Sequence, residues 1–351
     1  MGNKKKLLLN GIFLAAVFGL TVYGVFRGAD FNQLAADIRK ANPVFLLLAV
    51  ACVVFFIWGE SIIIYYMMRS LGTKLKKRKC FLFSSVGFFF SCITPSASGG
   101  QPAQVYYMRK EKIPIPVSTI VLMIITITYK AVLVLVGLFL ALFQRGFLDK
   151  YLSSVLPVFY LGLSLNVVCV AFMLILVFHP VLAKAIMMKG LTLLEHLHLM
   201  KRKQKRMERL EASMDKYNET AAYLRSHLKI VFEVLIITFL QRFALFFVTY
   251  FVYRSFGISG SSIYDVVMLQ AVISVSVDML PLPGGMGISE TLFMQIFTPV
   301  FGGMLLPGMI LSRSLSYYTE LLLSALMTVV AHFTLGRERK KGRSDCCDRI
   351  L

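Results

Sequence analysis

Glu60, Lys130, Arg242, Arg313 and Glu320 stand inside long apolar stretches of this 351-residue chain, and Asp278 and Glu290 flank a glycine-rich turn between two more. A charged side chain in hydrocarbon costs about 2.5 to 3.5 kcal/mol on insertion scales, so each such group needs a partner, a water-filled space or a ligand. Lys130 and Arg242 fall at the middle of their runs and Glu320 near the centre of the last one, while Glu60 and Arg313 lie within about two helical turns of the midplane. Two chemistries are open. The groups can pair with one another as buried ion pairs that fix helix registry. Alternatively they converge on a polar cavity, where Lys130, Arg242 and Arg313 meet a phosphate group, arginine as a bidentate fork and lysine as a point charge. Glu60 and Glu320, with Asp278 and Glu290, would then balance the empty site or meet a cationic group.

Other reactive residue types form no recognisable constellation. The six cysteines (Cys52, Cys80, Cys92, Cys169, Cys346, Cys347) show no CxxC spacing, which argues against a zinc site or a disulfide framework. His196 and His198 lie in a basic segment without further ligands at metal spacing. Gly284, Gly285 and Gly287 follow no strand, so they do not complete a dinucleotide fingerprint, and no phosphate-binding P-loop occurs. No nucleophile, base and oxyanion donors are ordered into a catalytic set. Neither cofactor nor metal is expected.

The elements that must position the charges follow from composition. With 57% hydrophobic and 16% charged residues, the chain carries more apolar surface than one soluble core can bury. Runs of the length needed to cross about 30 Å of hydrocarbon as a helix recur along it. The expected class is an all-α polytopic membrane protein with about six spanning helices and two re-entrant helical hairpins. The net charge of +20 clusters at the ends of apolar runs and in one central segment, which fits membrane topology and anionic lipid rather than nucleic acid.

The positive-inside rule assigns the sides. Lys4, Lys5 and Lys6 place the N-terminus in the cytoplasm, and Leu7 to Phe26 reads as a retained first span rather than a signal peptide. A short outer helix, Phe31 to Lys40, precedes the span Val44 to Met68, whose exit is marked by Arg69, Lys74, Lys76, Lys77, Arg78 and Lys79. Cys80 to Met108 is followed by Arg109, Lys110 and Lys112, so it enters and leaves on the same face; about 29 residues are too few for two crossings. It is a hairpin with SASGGQPAQ, residues 96–104, as its tip. There glycine permits unusual dihedrals, proline stops the helix, and Ser96, Ser98, Gln101 and Gln104 can satisfy freed backbone or something bound.

Val117 to Phe143 then runs outward, Gln144 to Lys150 forms a short outer loop, and Leu156 to Phe178 returns. Residues 179–229 form a basic cytoplasmic segment centred on KRKQKR, either an ordinary loop or a helix lying on anionic headgroups. After Ile230 to Tyr253, parity makes Ile263 to Phe301 a second hairpin, with PLPGGMGISE (281–290) at its tip, dipping from the opposite face. The last span is Met304 to Phe333, and the tail that begins RERKKGR lies inside. Trp58, well inside its run, is expected to pack in the interior. Tyr106, Tyr107, Tyr317 and Tyr318 are expected as packing or belt residues.

One offset relates the halves. Shifting by 185 places Gly99 on Gly284, Val44 to Met68 on the span starting near Ile230, and Val117 to Phe143 on the last span. Units 44–143 and 230–333 therefore read as an inverted repeat, an arrangement used by transporters that alternate access around a midplane site.

TPSASGGQPAQVYYMRK at 94–110, PLPGGMGISE at 281–290 and SRSLSYY at 312–318 resemble signatures of the flippase-like membrane domain of the lysylphosphatidylglycerol synthetase family. That domain forms the membrane half of the multiple peptide resistance factor and also occurs alone. The resemblance covers nearly the whole chain. It implies one integral membrane domain over 1–335 with a basic tail, 336–351, in the cell membrane with both termini cytoplasmic. It also implies movement of an anionic or aminoacylated phospholipid such as lysyl-phosphatidylglycerol between leaflets, and a role in antimicrobial peptide resistance. By motif, the binding residues it implies are Pro95, Ser98, Gly99, Gly100, Gln101, Pro102, Pro281, Pro283, Gly284, Gly285, Gly287, Glu290 and Arg313. Many relatives carry a glutamate where this chain has Gln101, and an arginine near Lys130. The soluble aminoacyl-transfer domain of the full-length synthetases is not expected here, which weighs against a phosphatidylglycerol lysyltransferase. A third reading is a non-transporting partner that recruits a separate lipid synthase through 179–229. The expected partner is membrane phospholipid, with no nucleic acid and room for a homo-oligomer.

Overall fold

A computed structural model describes residues 31–179, 215 and 217–335. The first apolar run, His196, His198, the KRKQKR centre and the tail from 336 lie outside the described residues. The helices in chain order are α1 (Phe31–Arg39), α2 (Pro43–Ser70), α3 (Lys77–Ile93), α4 (Gly100–Lys110), α5 (Ile115–Phe143), α6 (Arg145–Leu152), α7 (Leu156–Phe178), α8 (Leu228–Ser255), α9 (Ile263–Val277), α10 (Ile288–Ile296), α11 (Thr298–Phe301), α12 (Leu305–Arg313) and α13 (Thr319–Thr334). No strand occurs among the described residues, and α2, α5, α7, α8 and the stretch Thr298–Thr334 are long and apolar enough to cross a membrane. The all-α membrane class is borne out.

Sequence sets the helix ends. Asn42 accepts the Val44 N–H at 2.9 Å, with Pro43 at the first helical position of α2, where its missing N–H costs nothing. Ser262 and Asp265 form a capping box at the start of α9, meeting two orphan donors reciprocally. The faces are set by the solvent. On α13, Ser324, Thr328 and Ala331 turn inward, whereas Leu322, Leu326, Val329 and Phe333 are exposed. Small and hydroxylated residues let helices approach closely, and apolar ones meet lipid at no cost.

The offset of 185 carries α2 onto α8 residue for residue, Pro43 to Leu228 and Ser70 to Ser255. These two helices pack against each other and run antiparallel. The Asn42 N–H donates to the Ser255 carbonyl at 2.8 Å at one end, and the Tyr223 hydroxyl donates to the Ser70 carbonyl at 3.0 Å at the other. Each hairpin therefore enters from a different end. The first returns to its own side, since Lys79 near its entry pairs with Glu111 at its exit at 2.7 Å. The second does likewise: the Ser261 N–H, at its entry, donates to the Tyr253 hydroxyl at 2.8 Å, and Phe301, at its exit, rests edge-on against the same ring. The return arm α4 has 11 residues and spans only about 16 Å, too short to cross.

Two apolar cores result. One gathers Ile63 to Met68, Phe83, Met108 and Ile120 to Ile127; the other gathers Val132 to Leu152, Val252, Tyr253, Val266 to Val275 and Phe293 to Phe301. They occupy opposite ends of the bundle.

Three expectations need correction. Gln144 to Lys150 is not a loop: residues from Arg145 form α6, because Leu148 and Leu152, one helical turn apart, both bury completely. Trp58 is not interior; it is 51% exposed on the outer face and leans on Phe55, since Gly59, packed on Gln241 of α8, and the buried Glu60 take the inner face of α2. The last span, expected over Met304 to Phe333, lies within the apolar stretch Thr298–Thr334, where a π-helical turn at Ser314–Tyr318 separates α12 from α13. Finally, the first tip is shorter than SASGGQPAQ, because Gly100 already opens α4. Its left-handed residues are Ser96 and Ala97 rather than the glycines. Gly99 and Gly100 instead permit close approach: a Cβ on Gly100 would sit 2.1 Å from Ser91 Oγ and 2.8 Å from the Gly87 carbonyl oxygen.

Candidate functional site

Between the two apolar cores lies a cavity of about 530 Å³. Its walls come from both units: Glu60 of α2, Gln104 of α4, Thr126, Tyr129 and Lys130 of α5, Arg242 of α8, Asp278 after α9, both hairpin tips, and Arg313, Ser316, Tyr317 and Glu320 around the π turn. Tyr129 is the central residue of α5 and Arg242 is central in α8, so the cavity lies halfway along the spans.

The tips touch. Ser96 Oγ donates to the Leu280 carbonyl at 3.2 Å. Tyr317 ties them again, since its hydroxyl donates to the Cys92 carbonyl at 2.9 Å at the end of α3 while its ring fills the space a side chain on Gly284 would need. At the second tip, Gly284, Gly285 and Gly287 all have positive φ, a region where a Cβ is strained. Here, unlike at the first tip, glycines carry the left-handed dihedrals.

The charges divide into two groups. Lys130 pairs with Asp278 at 2.6 Å and also meets Met279 Sδ at 3.0 Å. Arg313 pairs with Glu290 at 2.8 Å and donates a second N–H to the Gly284 carbonyl at 2.9 Å. Glu290 further accepts the Gly287 N–H at 2.7 Å. Both ion pairs anchor the second tip to neighbouring helices. Glu60 accepts from Gln104 at 2.6 Å, Glu320 accepts from the Cys92 thiol at 3.6 Å, and Arg242 donates to the Tyr129 hydroxyl. None of these last three is in an ion pair among the described residues. Pairing as ion pairs is thus realised for Lys130 and Arg313, while Glu60, Arg242 and Glu320 line the cavity outside those pairs.

Of the residues singled out from sequence, Glu60, Ser98, Gln101, Lys130, Arg242, Asp278, Gly284, Gly285, Arg313 and Glu320 line the cavity. Pro95, Gly99, Gly100, Pro102, Pro281, Pro283, Gly287 and Glu290 shape its tips without forming its wall. Gln101 donates to the Thr126 hydroxyl, which holds its side chain against α5. Tyr129, Thr126, Gln270 and the bridging role of Tyr317 escaped sequence reading, because neutral polar residues in apolar runs carry no signal by type. Spacing offered one clue: Tyr129 adjoins Lys130, and Tyr317 lies one turn from Arg313.

Taken together, the fold and cavity define a helical membrane protein with an internal polar chamber held between two inward-dipping hairpins. The chain belongs to the family described as the lysylphosphatidylglycerol synthase transmembrane region, which matches residues 8–324. No curated protein matches the chain significantly. Membership places it in membrane lipid handling.

Proposed function

We propose that this protein moves an anionic or aminoacylated phospholipid between the leaflets of the cell membrane. The headgroup enters the cavity between the tips while the acyl chains stay in lipid, and rocking of the antiparallel units exposes the site to either side. The observation that carries this reading is the placement of a polar chamber, bounded by both hairpins, halfway along helices whose outer faces are apolar. A headgroup crossing hydrocarbon needs such a place, because desolvated charge is otherwise prohibitive. The end of the bundle carrying Lys74, Lys76, Lys77, Arg78, Arg109, Lys110 and Lys112 is the cytoplasmic one on this reading.

The test is a leaflet-sidedness assay in proteoliposomes containing the full chain and labelled phosphatidylglycerol or lysyl-phosphatidylglycerol. Exchange should be faster than in protein-free vesicles. Rates no faster than in protein-free vesicles for every anionic and aminoacylated phospholipid would remove the proposal.

A further inference from the structure

The three cations of the cavity are not equivalent. Lys130 is occupied by Asp278, and Arg313 by Glu290 and the Gly284 carbonyl. Arg242 is 3% exposed and has no carboxylate partner among the described residues. Its guanidinium carbon lies 3.8 Å from the Tyr129 ring centroid and 5.5 Å from that of Phe246. One Nη donates to the Tyr129 hydroxyl, while its buried Nε has no hydrogen-bond partner among the described residues. A guanidinium supported through its face keeps its in-plane donors for an oxyanion, the geometry that favours arginine over lysine for phosphate. A buried donor left unmet is uncommon in a complete site.

The same walls limit how much negative charge can be accepted. Among the described residues Glu60 has only the Gln104 amide and Glu320 only the Cys92 thiol as polar side-chain partners across helices, and both face the cavity. Arg242 offers one fork of donors to one anionic group, and Glu60 and Glu320 on the same walls disfavour any further negative charge.

Resting on the lipid-transport reading, we infer that Arg242 is the receptor for one lipid phosphodiester, and that Lys130 and Arg313 are tethers of the second hairpin rather than headgroup contacts. The site then prefers a monoanionic phosphodiester over a dianionic phosphomonoester.

The experiment measures lipid binding to the purified full chain in detergent by native mass spectrometry. The probes are phosphatidylglycerol, diacylglycerol with the same chains, phosphatidic acid above its second ionisation, and deacylated glycerophosphoglycerol. Phosphatidylglycerol should bind about ten- to a hundredfold more tightly than diacylglycerol, the range for one charge-assisted hydrogen-bonded group, and more tightly than phosphatidic acid or the deacylated headgroup. Arg242→Gln should bring phosphatidylglycerol down to the diacylglycerol level, with Arg242→Lys between. Equal binding of phosphatidylglycerol and diacylglycerol, preference for phosphatidic acid, or a folded Arg242→Gln that binds like the wild type overturns the inference. Equal binding of glycerophosphoglycerol overturns the lipid as its source. Should Arg242→Gln not fold, the wild-type probe series and Arg242→Lys decide. The expected binding without leaflet exchange would sink transport and spare the receptor; exchange undiminished in Arg242→Gln would do the reverse.

Discussion

The side-chain amide of Gln241 donates to the carbonyl oxygen of Phe56 at 2.8 Å, and these two residues occupy equivalent positions in the two antiparallel units. The offset of 185 residues thus brings equivalent positions of α2 and α8 into direct contact. Beside it, a Cβ on Gly59 would lie 3.0 Å from Gln241 Cγ. Gly59→Val should wedge α2 from α8 and cost about 1 to 3 kcal/mol, as overpacking of a close interface does. Gln241→Leu should cost about 1 kcal/mol, the net worth of one hydrogen bond. Thermal unfolding in detergent reads both; a Gly59→Val protein as stable as the parent would show that the two helices are free to separate.

Gly284 combines a φ of +56° with a prospective Cβ only 2.1 Å from the Tyr317 ring. Gly284→Ala should destabilise by about 1 to 3 kcal/mol through backbone strain alone, and more through the clash. Pairing it with Tyr317→Ala should relieve the clash and leave the strain. Unfolding midpoints of the two single variants and the double variant test this, and strict additivity would refute direct contact in solution.

Lys130→Met leaves the part-buried Asp278 without its cation, a loss of about 1 to 3 kcal/mol, below that of a fully buried pair because both side chains keep some exposure. Lys130→Met with Asp278→Leu removes both charges and should recover most of that stability. If the pair serves only to hold the second tip, leaflet exchange by the double variant should fall less than exchange by the single. An equally unstable double variant would argue that each group has another task.

Ser98 lies at the first tip and lines the cavity, whereas Trp58 sits on the outer apolar face. In a background lacking the native cysteines, Ser98→Cys should react with a small polar thiol reagent added to vesicles. Trp58→Cys should not, since thiolate formation needs water. Unreactive Ser98→Cys under all conditions would mean that the chamber is closed to the aqueous phase.

Much of this architecture was legible in the chain. Apolar run length fixed the spans, because the hydrocarbon thickness imposes it regardless of neighbours. Basic flanks marked Cys80 to Met108 as a segment that returns to its side, and the Lys79–Glu111 pair now closes it. The residue types of the second tip were equally readable, since Gly284, Gly285 and Gly287 adopt dihedrals that other residues resist.

Pairing was not legible. Lys130, Arg242 and Arg313 looked alike in sequence, each a cation in an apolar helix, because the cost of burying charge states that a partner is needed and not which one. Only the packing of α5 and α12 against the second tip delivered Asp278 to Lys130 and Glu290 to Arg313, and left Arg242 on the Tyr129 ring. The exposure of Trp58 was hidden for the same reason: hydropathy along one helix cannot tell a face that meets lipid from one that meets another apolar helix. Length, charge bias and backbone permissiveness are local properties that the chain carries by itself. Which polar groups satisfy each other across residues far apart is decided when the two units close on one another.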